Sequence, residues 1–298
     1  MGKRLDAALA EKEIVLSRSK AQKLIKGGKV TVNGKVVKKP AYVIKEGDDI
    51  NFEATEGKDL NAHIDPVDMN LDILYEDDSC LVINKPSGIA VHPSQTMGKD
   101  ESTILNGIAF IIESKGLLVH RLDKETTGCL LIAKSEESLA FLQKQFADRT
   151  VKKTYLALVS AIPSPASATI DAPIGRNLVN RTLMSIFKTR SSREAKTTYR
   201  TLEVRENSAL IECDLHTGRT HQIRVHLRSI GHPILGDPSY GTQESKKVSA
   251  QLGIDGLCLH ALRLSFNSPR GKRVDVEAPL TINNQHAHFV RFQQSTDY

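Results

Sequence analysis

The segment His120-Arg121-Leu122-Asp123-Lys124-Glu125-Thr126-Thr127-Gly128 puts a carboxylate in a charged loop just ahead of the apolar run Cys129-Leu130-Leu131-Ile132-Ala133. A polar loop entering a buried strand lets a rigid scaffold hold an acidic group beside a substrate, where it can act as nucleophile or general base. The same position also suits an aspartate that only closes a turn. The tripeptide Arg-Leu-Asp recurs at Arg4-Leu5-Asp6, which reads as helix surface, so local sequence leaves both roles open for Asp123. Hydrolysis of nucleosides or glycosides by paired carboxylates has only Glu125 as a near partner for Asp123.

A second cluster, Leu215-His216-Thr217-Gly218-Arg219-Thr220-His221-Gln222-Ile223-Arg224-Val225-His226, joins a strand end to an amphipathic helix with Ile223, Leu227 and Ile230 facing inward. Thr220 is placed to cap that helix, whose free N–H groups and positive dipole end favour an anion. His221 and His226 stand five apart, not at the i, i+4 spacing of a helical zinc motif, and no cysteine is near. No metal is expected. Polar, hydrogen-bonding histidines are.

Short strands must position these clusters. Cys80–Asn84 is an apolar strand stopped by Lys85-Pro86-Ser87-Gly88; Gly128–Ala133 and Tyr155–Val159 are two more. The alternating runs Thr197–Val204 and Ala209–Leu215 form a hairpin, and Leu257–Phe266 and Arg273–Glu277 close the series. Helices are predicted at about 102–114, 136–148 and 221–230, the second capped by Ser135. Mainly antiparallel strands with a few helices packed on them make an α+β domain.

The chain's head is a different kind of unit. Leu5, Ala8 and Leu9 mark one short helix, and Ser19 caps a second with Ala21, Leu24 and Ile25 inward and Lys20, Lys23 and Lys26 solvated. Gly27-Gly28 ends it, and a hairpin follows around Asn33-Gly34, a type I′ turn in which both residues take positive φ. Residues 1–45 hold 12 Lys/Arg against 3 Asp/Glu, an excess of +9; since the whole chain carries +6, residues 46–298 sum to −3. A basic head on a near-neutral body suits a polyanion, nucleic acid by default. Residues 54–66 have linker composition, which divides the chain into domains 1–60 and 70–298 joined by 61–69.

Composition limits the rest. The hydrophobic share of 40% supports a buried core, and no stretch approaches the length of a membrane span. The N-terminus leads into no apolar signal region, and Cys80, Cys129, Cys213 and Cys258 are scattered without a CxxC. They read as reduced, buried thiols of a cytoplasmic protein.

The head resembles the S-four type RNA-binding module, through Arg4-Leu5-Asp6, Leu16–Ile25 and Gly28–Lys35. That resemblance implies RNA phosphate contacts by Arg18, Lys20, Lys23, Lys26 and Lys35. The body resembles the RluA-type pseudouridine synthase family. The likeness is carried in order by Ile83–Gly88, Val91-His92-Pro93, His120–Gly128, Lys152–Val159, Pro173–Arg176, His216–His226, Gly231–Gly241 and Leu259-His260-Ala261. The departures are a terse Gly116–Val119 and a loose Ser192–Ala195.

The resemblance implies a pseudouridine synthase acting on structured RNA, most often large-subunit (23S) ribosomal RNA, with transfer RNA as the other candidate. Its fold would be a mainly antiparallel sheet with packed helices. The reaction breaks the N-glycosidic bond, turns the uracil and rejoins it through carbon, without redox change or group donor, so no cofactor is implied. Asp123 becomes the catalytic carboxylate, with Tyr155 stacking on the base and Arg219 as the guanidinium that keeps the carboxylate ionised. Arg121 would screen the carboxylate or fill the space of the flipped-out nucleotide, and Lys85 would support the site. A monomer is expected. The competing reading is a non-catalytic RNA-binding or ribosome-assembly protein on the same fold, against which the joint presence of Asp123, Tyr155 and Arg219 argues.

Overall fold

The computed structural model describes residues 3–11, 18–45, 47–52, 64–93, 97–98, 101–114, 116–187, 189, 191–280 and 288–289. The chain divides into two compact units, residues 1–63 and 64–298.

The first unit runs β1 (Lys3–Arg4), α1 (Leu5–Glu11), α2 (Arg18–Lys26), β2 (Val30–Val32), β3 (Lys35–Val36), β4 (Val43–Ile44) and β5 (Ile50–Phe52). Strands pair as β3-β2-β5, with β1 on β4 in a separate ribbon. Leu5, Leu9, Ala21, Ile25, Val30 and Val32 make its small core, so the helical stripes read from sequence do face inward. Asn33 and Gly34 take φ of 51° and 74°, as a type I′ turn requires. Asp6 corrects the surface reading. It is fully buried and accepts a hydrogen bond from Gln22 Nε2 (2.7 Å) as well as a two-pronged contact from Arg4, so this Arg-Leu-Asp ties α1 to α2. Lys26 and Lys35 are exposed. The side chains of Arg18, Ser19, Lys20 and Lys23 lie outside the described residues.

The second unit begins with β6 (Asp72–Glu76), β7 (Cys80–Lys85), α3 (Ile104–Ile112), β8 (Leu117–Leu118), β9 (Thr127–Ala133), α4 (Glu136–Ala147), β10 (Lys152–Ser160) and β11 (Ser167–Asp171). It continues with β12 (Gly175–Arg176), β13 (Met184–Ser185), β14 (Lys196–Arg205), β15 (Ser208–Leu215), α5 (Gln222–Ser229), α6 (Gln243–Gln251), β16 (Leu259–Asn267) and β17 (Arg273–Glu277). One ten-stranded sheet runs β11-β14-β15-β10-β16-β9-β7-β6, with β17 also on β16 and β8 also on β9. Its ladders are antiparallel except for β9 on β16.

The unbroken apolar runs of β7 and β9 follow from this placement. Side chains alternate between faces. Leu81, Ile83, Leu130 and Ile132 join the core beneath α3 and α5, while Cys80, Val82, Cys129 and Leu131 join another with Leu142 of α4 and Val274 and Val276 of β17. All four cysteines are buried free thiols. Gly128, the second residue of β9, takes φ +102°, where a Cβ would stand 2.3 Å from the Ala261 carbonyl oxygen, so only glycine lets the chain leaving the 120–126 loop enter the parallel pairing.

Two local expectations change. Helix α6 is absent from the sequence reading because its inward residues are Ser245 and Ser249; a reciprocal Thr242–Ser245 cap starts it instead of an apolar stripe. Ile230, expected to face inward, is the C-terminal cap of α5 and is 37% exposed.

His120 links fold and cavity. Its ring stacks on Phe146 with centroids 4.9 Å apart, and Nε2 accepts from the Leu131 N–H at 3.0 Å. Burial, and then Lys153, lower its pKa from 6.5 to about 3. The unfolded chain therefore binds this proton between those two values, and stability is lost as pH falls through that window. Between pH 7 and pH 5 the site should cost about 1–2 kcal/mol of unfolding free energy. Urea titrations at both pH values should show His120→Asn losing that much less than wild type. Equal losses would exclude His120 as the responsible group.

Candidate active site

The loop carrying Asp123 is fastened from below. Lys85, at the end of β7, is fully buried, and its ammonium donates to the carbonyls of Pro86 (2.7 Å), Lys124 (2.8 Å) and Thr126 (3.0 Å). Burial lowers this lysine's pKa to about 8, with Glu125 and Asp123 opposing the shift. Gly88 N donates to Lys124 O, and Ser87 Oγ donates to both the backbone and the carboxylate of Glu125. Glu125 is thus engaged by Ser87.

Asp123 has both features that its sequence left open. Its carbonyl accepts from Thr126 N at 3.1 Å, closing a turn, while its carboxylate, 25% exposed, lines a cavity of about 360 Å³. A volume of that size suits a small-molecule or single-nucleotide site.

The guanidinium beside Asp123 is not the one expected. Arg224 Nη1 donates to Asp123 Oδ2 at 2.9 Å, whereas Arg219 Nε donates to the Glu194 carbonyl at 3.0 Å. The reason is the boundary of α5. Arg224 sits in its first turn and points into the protein; Arg219 lies in the preceding loop, at the rim of the cavity. Arg224 is itself held by Asp237, through Nε to Oδ2 (2.8 Å) and Nη2 to Oδ1 (2.9 Å). Asp237 is buried and also accepts from the N–H groups of Ser239 and Tyr240. Burial alone lowers the pKa of Arg224, but Asp237 and then Asp123 outweigh it and raise the net value. Arg224 is therefore a permanent cation between two carboxylates.

Tyr155 lies on β10 and lines the same cavity. Burial, then the charge of Asp123, pushes its phenol upward, so it stays protonated. Arg121 is exposed and donates to His92 Nε2 at 3.1 Å, not to Asp123. It also lines the cavity.

Lys153, Tyr240, Asp237 and His221 belong to the site although the sequence did not single them out for it. The Lys153 ammonium lies 5.6 Å from the Phe146 ring centroid, and burial followed by Arg219 and Arg149 lowers its pKa to about 8. Its place two residues before Tyr155 on the same strand was the available signal. Thr220 does not cap α5; His221 is the N-cap, in a left-handed conformation. The turn is closed by Gln222, whose Oε1 accepts from Thr217 Oγ1 (2.7 Å) and Arg219 N (3.0 Å). His226 is buried against Thr197 and the Ala172 carbonyl. Among the described residues no group of three His, Cys, Asp or Glu could hold a metal.

Asp237→Asn should expose how much the site depends on this anchor. Removing one charge leaves the buried cation underpaired, at a cost of about 3 kcal/mol, and loosens the carboxylate's partner. Unfolding titrations and turnover should fall together, turnover by roughly 10-fold. Unchanged stability and turnover would contradict the anchor.

Comparison with known proteins agrees with this geometry. Residues 79–229 match the family model described as RNA pseudouridylate synthase, and residues 3–50 match the S4 domain. An RNA pseudouridine synthase of Bacillus subtilis (strain 168) is 40% identical over 286 residues, covering 93% of this chain and 90% of that protein. A protein of Zymomonas mobilis subsp. mobilis named ribosomal large subunit pseudouridine synthase D is 40% identical over 295 residues, covering 94% and 91%. The solved human RNA pseudouridylate synthase domain containing 1 superposes with a TM-score of 0.61 at 26% identity, over 72% of this chain and 85% of that one. The chain belongs to the RNA pseudouridylate synthase family, with an S4 domain at its head, and is an enzyme that isomerises uridine in RNA.

Proposed function

We propose that the substrate is large-subunit ribosomal RNA and that Asp123 is the catalytic carboxylate. The observation that carries the second part is the Asp123 carboxylate at the cavity wall, paired at 2.9 Å with an Arg224 that Asp237 fixes from behind. The first part is supported by the names of relatives from Zymomonas mobilis and Vibrio parahaemolyticus, both called ribosomal large subunit pseudouridine synthase D.

The target uridine leaves its stack and enters the cavity. Asp123 stands beside the ribose and base as nucleophile or base, aimed by its bond to Arg224. Tyr155 offers a ring to stack on the uracil and a protonated hydroxyl. Arg219 and Lys153 supply positive charge at the mouth, where the flanking phosphates lie. Arg121 fills the place the nucleotide vacates. The head unit adds sequence-independent phosphate contacts through Arg18, Lys20, Lys23, Lys26 and Lys35.

Two outcomes test this. Asp123→Asn should lower turnover by at least about 10³-fold while RNA affinity changes little; substantial turnover by clean protein sinks the assignment. Removing residues 1–63 should weaken RNA binding and flatten its salt dependence, by about 0.7–0.9 in log–log slope for each phosphate the head would otherwise neutralise. Binding with the same affinity and slope would mean the head does something else.

A further inference from the structure

We infer that His221 is a further catalytic residue, whose Nε2–H donates a hydrogen bond to the uracil carbonyl that gathers negative charge as the glycosidic bond breaks. This rests on the reading of Asp123 as the carboxylate beside the reacting nucleotide.

His221 is held in a conformation uncommon for residues other than glycine. It takes φ +55° at the head of α5, and its side chain makes no capping bond. The left-handed region is cheap for glycine and tolerated by asparagine and histidine. Here the conformation turns the imidazole into the cavity.

The ring's proton is placed by its neighbours. Tyr240 Oη accepts from the Met184 N–H at 2.9 Å and lies 2.8 Å from His221 Nδ1, and we assign the Tyr240 proton to that second bond. With Nδ1 accepting, a neutral imidazole carries hydrogen on Nε2. That atom lies 3.9 Å from Asp123 Oδ2, beyond hydrogen-bonding distance, and the oxygen is already taken by Arg224. The Nε2–H is therefore unspent. It faces the space into which the nucleotide must come, since both side chains are about one-quarter exposed (23% and 25%).

Rigidity completes the arrangement. The imidazole meets the Tyr240 ring edge-on, with centroids 5.5 Å apart, and the Arg224 guanidinium covers that ring at 5.0 Å. Arg224 aims the carboxylate and Tyr240 aims the donor, each against the other. Around the imidazole stand Asp123, Arg224, Asp237, Arg176 and Tyr240; burial dominates and lowers its pKa, so the ring is neutral in neutral solution.

The chemistry needs such a donor. With Asp123 engaged at the ribose, the separating uracil takes up negative charge, shared by its two carbonyl oxygens. The C2 carbonyl is attached to N1 itself, so a donor next to the carboxylate that addresses the ribose is within reach of it. A fixed neutral donor at that point stabilises the transition state without competing with Arg224 for Asp123.

The test compares His221→Asn with His221→Gln. Asparagine tolerates positive φ and can accept from Tyr240 through Oδ1, but its amide stops short of the Nε2 position; glutamine reaches that position and tolerates the backbone less well. Single-turnover release of tritium is measured from C5-tritiated RNA of cells deleted for this gene, together with RNA affinity and thermal midpoint. His221→Gln should stay within about 10-fold of wild type and His221→Asn should fall by about 10²-fold, although asparagine gives the more stable protein. Asparagine matching or exceeding glutamine in rate, or wild-type rates in both, overturns the inference. Asp123→Asn run alongside separates the two claims: if it is inert while the His221 order fails, only the donor is lost; if it turns over, the carboxylate assignment fails first.

Discussion

Arg224 is the interaction on which this centre turns. A guanidinium offers donors on more than one side, and here one prong reaches Asp123 while two others grip Asp237. Buried ion pairs add little net stability against well-packed apolar groups. Their effect is geometric: a carboxylate facing an open cavity is kept in one place. Tyr240 extends the same unit, lying under the guanidinium and against His221. Lysine in place of Arg224 could satisfy one carboxylate as a point charge, but not both in fixed planes.

The loop that presents Asp123 depends on equally unforgiving backbone chemistry. Two of its carbonyls, Lys124 and Thr126, converge with that of Pro86 on a single buried ammonium, Lys85, whose loss would remove a donor from each. Gly128 then allows the chain to pass against Ala261 with no room for a side chain. The two faces of β7 and β9 pack into separate cores, so the strands that flank the Asp123 loop are anchored on both sides of the sheet.

Much of this can be read from residues alone, and the misses have physical causes. Apolar runs and turn residues locate β7, β9, β10 and the β14–β15 hairpin, because the alternation of a strand is a local property. Family resemblance raises Asp123 above the turn role that its neighbours equally allow; the structure shows the turn and a carboxylate at the cavity wall. The choice between Arg219 and Arg224 is not local. Five residues apart, they fall on opposite sides of a helix boundary, and only the position of that boundary decides which one points inward. Asp6 escapes a local reading for the same reason, since its partner Gln22 lies on another helix. Helix α6 carries no apolar stripe to find. His221 reads from sequence only as a polar, hydrogen-bonding histidine, because its backbone angle and its partner Tyr240, nineteen residues away, are not local signals.

The most direct measurement is a nucleotide-by-nucleotide map of pseudouridine in ribosomal and transfer RNA from cells deleted for this gene, complemented by wild type or by Asp123→Asn. The sites lost on deletion should lie in large-subunit ribosomal RNA, return with the wild type, and stay absent with the variant. Return of those sites with the variant would contradict the assignment of Asp123.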